Sequence, residues 1–253
     1  MNLVKKAFLT FILVFLYAPI FVLIVYSFNE SRSMAHWTGF SLQWYRALLQ
    51  DTTIMSALLV TVSVAVVASL VSTVIGTFAA IGINVMTKKV RIAVEFITNI
   101  PVVNPDIVTG ISLMLLFIFF RITLSYTTLL VSHITFCIPY VILSVMPKLS
   151  QMRDQTYEAA LDLGATPLYA VYKVVLPEIK PGIMTGAILA FTLSLDDFVV
   201  SLFTRQGVQT LSTLIYSMAR RGINPKINAL SAMMFVAVLG LLLIVNLRTD
   251  RNS

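Results

Sequence analysis

Residues 158–177, which read EAALDLGATPLYAVYKVVLP, form a polar, charged insert between two strongly apolar segments. Their pattern predicts two short helices with a break between them. The segment from Arg153 to Leu163 has helical periodicity, and Gly164 suits the left-handed position that follows a helix. Thr166 and Pro167 then provide an N-cap and a proline at the first helical position. A short exposed helix between membrane spans is suited to dock a partner. The alternative is an interfacial amphipathic loop that only connects two spans.

The composition requires an integral membrane protein. The chain has 253 residues, of which 58% are hydrophobic and 11% are charged, and its mean hydropathy is +0.91. These values lie outside the range of soluble globular domains. The single cysteine, Cys137, excludes a disulfide within the chain, and His36 and His133 leave few ligands for a transition metal. The net charge of +7 is not carried by a basic soluble domain, so we expect contact with membrane lipid and not with nucleic acid.

Six apolar runs are each long enough to cross the hydrocarbon core of a bilayer. They are 7–28, 57–83, 100–120, 127–145, 182–203 and 227–245. The first run follows Lys5 and Lys6, as in a signal peptide, but its length and the lack of a small-residue cleavage site predict a retained span. We expect one all-α transmembrane domain over 1–253, with the insert in a cytoplasmic loop at 148–180. Between the last two spans, Leu211–Met218 predicts a short helix.

The start of the third run is unusual because Pro101, Asn104, Pro105 and Asp106 crowd one short segment at the membrane boundary. Two prolines interrupt backbone hydrogen bonding. We therefore expect this segment to be buried in protein or to face a water-filled path. The basic cluster at 88–91, which precedes it, predicts a cytoplasmic loop.

The positive residues favour an orientation with both termini in the cytoplasm. This orientation leaves 11 positive residues inside and 7 outside. The excess is small, because four positive residues from Arg205 onward lie outside, against the positive-inside rule. The orientation also places the insert where a cytoplasmic partner can reach it. The residues assigned to the inside are Lys5, Lys6, Lys88, Lys89, Arg91, Lys148, Arg153, Lys173, Lys180, Arg248 and Arg251.

The acids within the predicted spans are Asp106, Asp196 and Asp197, and no basic residue lies in these runs to neutralise them. A charged side chain at the centre of a membrane costs about 2.5–3.5 kcal/mol on insertion scales, so these carboxylates need a reason. One reason is structural, with Asp106 capping a helix start. The other is a path for a cation, in which carboxylates replace water around a positive group. We expect Asp196 or Asp197 to line such a path, although adjacent helical residues point about 100° apart.

Three aromatic or imidazole side chains in or near the spans can each be interpreted in two ways. Phe117 and Tyr216 offer faces that attract ammonium groups when water is excluded, although each one also suits packing. His133 is more typical of a hydrogen-bonded packing residue than of a direct transport residue.

The insert resembles the EAA loop of ABC-importer permeases, which reads Glu-Ala-Ala, three residues, Gly, nine residues, Ile, one residue, Leu-Pro. Val174 stands where the pattern has Ile. The resemblance implies that the first helix sits in a groove of a cytoplasmic ATPase and transmits its motion to the membrane. The residues implied in this coupling are Glu158, Ala159, Ala160, Gly164, Val174, Leu176 and Pro177.

A narrower resemblance covers nearly the whole chain. The segments 104–108, 132–137, 191–197 and 215–218 resemble those of the permease subunits of spermidine/putrescine ABC importers, which are binding-protein-dependent transport permeases with an EAA loop. The resemblance implies six transmembrane helices in a type I importer fold, located in the bacterial inner membrane. It also implies three partners, namely a second homologous permease subunit, a cytoplasmic ATPase dimer and an extracytoplasmic polyamine-binding protein. The chain would then form half of an alternating-access pathway for polyamines.

Three other functions are open to a chain of this composition. A permease of the same fold for another solute is the nearest, although an anion fits poorly with three unpaired acids. An ion-coupled secondary transporter would use the acids as proton relays and would leave the insert without a role. An intramembrane aspartyl protease needs two carboxylates on facing helices around one water, whereas neighbours on one helix diverge. The chain has no glycine-rich phosphate-binding loop, so we expect a non-catalytic subunit without cofactor or metal, and ATP hydrolysis in a partner.

Overall fold

The computed structural model describes residues 3–32, 36–152, 154–222 and 225–249. All regular structure in these ranges is helical, which confirms the predicted fold class. The first helices are α1 (Leu3–Tyr26), α2 (Gln43–Leu49), α3 (Thr52–Asn84), α4 (Lys88–Val103), α5 (Asp106–Phe119) and α6 (Tyr126–Gln151). They are followed by α7 (Asp154–Asp162), α8 (Pro167–Ala170), a π-helical turn (Val171–Val175), α9 (Leu176–Asp196), α10 (Val199–Thr204), α11 (Leu211–Arg220) and α12 (Pro225–Thr249). The helix predicted at Leu211–Met218 is thus confirmed. Arg153 and Arg251, which the orientation used, lie outside the described residues.

Helix length and apolar composition support a membrane-spanning chain. Four helical stretches in the described ranges are long and apolar enough to cross a bilayer, and α4 with α5 adds a fifth if this bent pair counts as one span. Two of the four are α3 and α6, and the other two are 5–26 and 167–196. The sixth predicted span falls on α12, of which the described apolar part is Pro225–Gly240. The membrane architecture is confirmed, and the count of six remains a prediction.

The third predicted span is bent at Pro105, whereas Pro101 lies inside α4. Helices α4 and α5 meet at 103°, with the break at Asn104 and Pro105. The residue before a proline is held out of the helical region, and Asn104 is extended at φ −70° and ψ 142°. The loop predicted at 88–91 is wrong, because these residues form the first turn of α4. Arg91 supports that helix through Glu95, 2.8 Å away and one turn later, and reaches Ser150 on α6 at 3.2 Å.

The chain divides into two compact units, and the first comprises 1–56 and 214–253. In it, α12 packs against both α1 and α2. The connection after α1 is ordered by Asn29, which is buried and whose carbonyl accepts a hydrogen bond from the Trp44 indole at 2.7 Å. Lys226 at the start of α12 forms an ion pair with Asp51 at 3.3 Å. Trp44 is therefore a core residue of this unit.

The second unit comprises 57–213, and its centre is the packing of α6 on α9. Close approach depends on glycine: a Cβ at Gly182 would lie 3.0 Å from the Ser144 carbonyl, and one at Gly186 would lie 3.3 Å from the Val141 Cα. Small residues in membrane helices allow such contact between backbones. The buried core here includes Cys137, Val141, Val145, Ile179 and Ala190.

Candidate functional site

The insert forms a helix, a sharp turn and a second helix start. Helix α7 ends at Asp162, and Gly164 follows with φ +86°, in the left-handed region. The Ala165 N–H donates to the Ala160 carbonyl at 3.0 Å, which closes the end of the helix. Thr166 then accepts a hydrogen bond from the Tyr169 N–H at 3.4 Å, as the N-cap of α8. The caps read from the sequence are confirmed, whereas the predicted start of α7 at Arg153 lies outside the described residues.

The helix that begins in the second half of the insert continues into the fifth predicted span. A short helix separate from the fifth span was predicted, but the helical chain runs without interruption from Pro167 to Asp196. Between α8 and α9 it widens into the π-helical turn Val171–Val175, in which the Leu176 N–H donates to the Val171 carbonyl five residues earlier. Pro177 has no N–H to donate to the Lys173 carbonyl, and its ring crowds that carbonyl. The wide turn therefore follows from the last proline of the insert.

The insert exposes apolar side chains around its turn. Leu163 is 90% exposed and Leu168 is 84% exposed. Leu163 lines an open depression of about 550 Å³, together with Ala160, Gly164, Ala165, Thr166 and Tyr169. Among the predicted coupling residues, Glu158, Ala159, Gly164 and Pro177 are exposed, while Ala160, Val174 and Leu176 are half-buried. Large apolar groups held in the open on a polar insert are typical of a docking surface. The sequence did not predict Leu163 and Leu168 as contact residues, because their exposure depends on the conformation of the turn.

The predicted fifth span is interrupted at its two acids. Helix α9 ends at Asp196, and α10 begins at Val199. Asp197 accepts hydrogen bonds from the backbone N–H groups of Val200 at 3.2 Å and Ser201 at 2.7 Å. A side chain that captures these N–H groups ends one helix and caps the next. The prediction of one continuous helix from 182 to 203 is wrong for this reason.

The acids of the proposed path differ in their surroundings. Asp106 is exposed in the first turn of α5 and makes no side-chain capping bond there. Asp196 is exposed, whereas the Asp197 side chain is 8% exposed. Helix α5 packs on α10 through Gly110, where an added Cβ would lie 3.1 Å from Phe203.

The two aromatic candidates lie in different surroundings. Phe117 is 7% exposed and belongs to the packed side of α5, eleven residues after Asp106. Tyr216 lies in the unit of 1–56 and 214–253, where it is 44% exposed and its ring centroid is 5.9 Å from the Arg220 guanidinium. Within the described ranges, no three His, Cys, Asp or Glu side chains come together to hold a metal ion.

The chain is similar to known membrane transport proteins. Residues 72–251 match the family model described as the inner membrane component of binding-protein-dependent transport systems. The putrescine transport system permease protein PotI of Escherichia coli K12 is 39% identical, covering 88% of this chain and 83% of that protein. The spermidine/putrescine transport system permease protein PotC of Haemophilus influenzae is 36% identical over 98% of this chain and 97% of that protein.

A solved structure has the same fold. It is a bacterial ABC transporter involved in the import of the acidic polysaccharide alginate, and the match has a TM-score of 0.78 at 16% identity. It covers 96% of this chain and 94% of the matched chain. Because the solute of that transporter is acidic, the shared fold by itself does not specify a cation.

Proposed function

The chain belongs to the family of inner membrane components of binding-protein-dependent transport systems, and on that premise we propose that it is a permease subunit of an ATP-driven polyamine importer. The observation that carries the proposal is its identity of 36–39% to putrescine and spermidine/putrescine permeases over most of the chain. Spermidine and putrescine are flexible chains of ammonium groups. The exposed carboxylates of Asp106 and Asp196 suit such a solute, since a carboxylate can replace water around each positive group.

The proposed assembly contains subunits that supply what this chain lacks. A second homologous permease subunit would complete the path, and an extracytoplasmic polyamine-binding protein would deliver the solute. A cytoplasmic ATPase dimer would hydrolyse ATP, so this chain is not an enzyme. The proposed topology has both termini in the cytoplasm. Membrane lipid covers the apolar outer surface of the assembly.

Coupling is assigned to the insert. The exposed α7 and its turn at Gly164 would dock on the ATPase, with Leu163 and Leu168 as the apolar contacts. Because the helical chain continues from α8 through the π-helical turn into α9, movement of the docked turn would be transmitted to the end of α9, where Asp196 lies. ATP-driven closure would then shift the two states of the path, and hydrolysis would reset it. Tight binding within the membrane would slow release of the solute. The acids therefore need only compensate the ammonium groups for the water that they lose on entering the path.

The test is uptake of radiolabelled spermidine in cells that lack this chain, with and without its restoration. Restored uptake that requires ATP and is competed by putrescine, but not by an unrelated cation, is the expected result. Absence of uptake despite assembly with the partner subunits would remove the polyamine assignment and leave the family intact.

The role of the acids is tested in the same assay. Asp106→Asn and Asp196→Asn are expected to lower spermidine uptake at least tenfold at equal amounts of assembled complex. Glu178→Gln is the matched control, because it removes an exposed negative charge from the other end of α9. Equal losses in all three variants would point to net charge and not to a path.

A further inference from the structure

A buried polar cluster joins α6, α9 and α10 where α9 ends. It consists of His133, Ser194, Asp197 and Ser201. His133 is 1% exposed, and its Nδ1 lies 2.6 Å from the Ser194 hydroxyl oxygen. Its Nε2 lies 3.0 Å from the Ser201 hydroxyl oxygen and 3.5 Å from Asp197 Oδ2. Both ring nitrogens are therefore engaged, and the imidazole connects α6 to the end of α9 and the start of α10.

Asp197 is held from several directions. Its Oδ1 and Oδ2 accept the first N–H groups of α10, from Val200 and Ser201. Its backbone carbonyl accepts a hydrogen bond from the Ser212 hydroxyl at 2.6 Å. A carboxylate at a helix N-terminus with such bonds is stabilised where it is. Asp197 has little capacity left to bind a passing ammonium group.

Asp196 is in the opposite situation. It is the last residue of α9, its side chain is exposed, and it forms no ion pair among the residues that the structure describes. The turn at Asp197, with φ −57° and ψ 128°, separates the directions of the two neighbouring side chains. The conformation of this turn therefore determines the direction in which the Asp196 side chain points.

We infer that the adjacent acids have separate roles: Asp196 is the carboxylate that meets the cation, and His133 is a positioning residue that holds Asp197 on α10 and so fixes the turn that presents Asp196. The assignment of Asp196 rests on the proposed function. The division of roles between the two acids rests on the contacts of the polar cluster. His133 touches no solute in this arrangement, and its effect on transport passes through Asp197.

The first test does not depend on transport. Cys137 is the only cysteine of the chain and is fully buried, so background labelling is low. Asp196→Cys and Asp197→Cys are prepared in the assembled complex in membranes and exposed to a small cationic thiol reagent. The expected labelling rate is at least tenfold higher at position 196. Equal rates, or faster labelling at position 197, would overturn the division of roles.

The second test measures the KM for uptake and distinguishes a positioning role of His133 from a purely structural one. It does not require that the Asp197→Cys variant folds. Asp196→Asn is expected to raise the KM for spermidine uptake at least tenfold. Asp197→Asn is expected to change it less than threefold, because the amide oxygen can still accept one of the two α10 N–H bonds as an N-cap. His133→Ala is expected to raise KM several-fold with an unchanged amount of complex, and His133→Asn, which keeps a donor, is expected to restore it.

The variants also show which proposal fails. A KM that is unchanged in Asp196→Asn would remove Asp196 from the path and with it the present inference. A raised KM in Asp196→Asn with a normal KM in His133→Ala would overturn the positioning role alone. A loss of assembled complex in His133→Ala with KM unchanged would show that the histidine only supports the fold. In the double variant with Asp196→Asn, His133→Ala should add no further change to KM, since both act on one contact.

Discussion

Gly76 lies on α3 in close contact with α6. A Cβ added there would lie 2.7 Å from the Val141 Cβ, which is closer than the two atoms can approach without a shift of the helices. Overpacking of this kind typically destabilises a protein by about 1–3 kcal/mol. We expect Gly76→Ala to lower the denaturation midpoint of the purified complex, measured by unfolding in a denaturing detergent.

Gly82 provides the control on the same helix. A Cβ there would meet no atom within 4 Å, so Gly82→Ala should leave the midpoint unchanged or raise it, since alanine is the better helix former. Small residues allow close packing of membrane helices, and α3 shows such packing at Gly76 but not at Gly82. Equal midpoints for the two variants would contradict the close contact.

At Gly164 a glycine is needed for its backbone conformation and not for close packing. Its φ is +86°, and a Cβ would meet nothing within 4 Å. A β-branched residue in the left-handed region costs roughly 1–2 kcal/mol, whereas asparagine is tolerated there. Gly164→Val should therefore reduce co-purification of the ATPase subunit with the permease, and Gly164→Asn should preserve it. Similar recovery of the ATPase with both variants would show that the turn can change without loss of docking.

At the scale of the element, the π-helical turn at 171–175 depends on Pro177. Replacing it with alanine supplies an N–H that can donate to the Lys173 carbonyl, so the turn can tighten to an α-helix. We expect Pro177→Ala to slow hydrogen exchange of the amides at 174–176 and to lower spermidine uptake per ATP hydrolysed. The matched control is Pro181→Ala, one turn further along α9, which should change neither quantity. Unchanged exchange in Pro177→Ala would mean that packing, and not the proline, widens the turn.

The elements differ in how far the sequence predicts them. The turn of the insert was predictable because its signals are local: Gly164, Thr166 and Pro167 act on their own neighbours. Interrupted backbone hydrogen bonding at 101–106 was predicted from Pro101 and Pro105, but only Pro105 stands at a break between helices. The break after Asp196 was not predicted, because an acid in an apolar run reads as a charged span residue until its N–H partners in α10 are known. The inferred separate roles of Asp196 and Asp197 could not be predicted from the two adjacent residues alone. They depend on the contact of Asp197 with His133, which is more than sixty residues away in the sequence.

At the scale of the whole molecule, fold and solute are specified separately. This fold also serves in a transporter involved in the import of an acidic polysaccharide. In the proposed importer, the fold and the docking of the insert would therefore not depend on the sign of the solute's charge. Selectivity must come from few side chains along the path, and in this chain the exposed acids Asp106 and Asp196 are the candidates. A small set of carboxylates also gives weak, separable contacts, which transport requires more than tight binding.

The number of membrane crossings decides whether the insert can reach an ATPase at all. After the first span the chain passes α3, the bent pair of α4 and α5, and α6 before it reaches Leu163. With the N-terminus inside, the insert is cytoplasmic only if the bent pair crosses the membrane. A re-entrant pair that returned to its own side would place the insert outside. The proposed coupling therefore requires that a helix pair bent by 103° still counts as one span.

This requirement can be measured by cysteine labelling from one side of the membrane. Phe40→Cys and Leu163→Cys replace side chains that are 69% and 90% exposed, and buried Cys137 in the unmodified chain is the control. In cells without the ATPase subunit, we expect a membrane-impermeant maleimide to label Phe40→Cys in spheroplasts, and Leu163→Cys only after permeabilisation. Labelling of both from the outside would mean an even number of crossings between them. The bent pair would then be re-entrant, and the insert could not be the site that receives the motion of the ATPase.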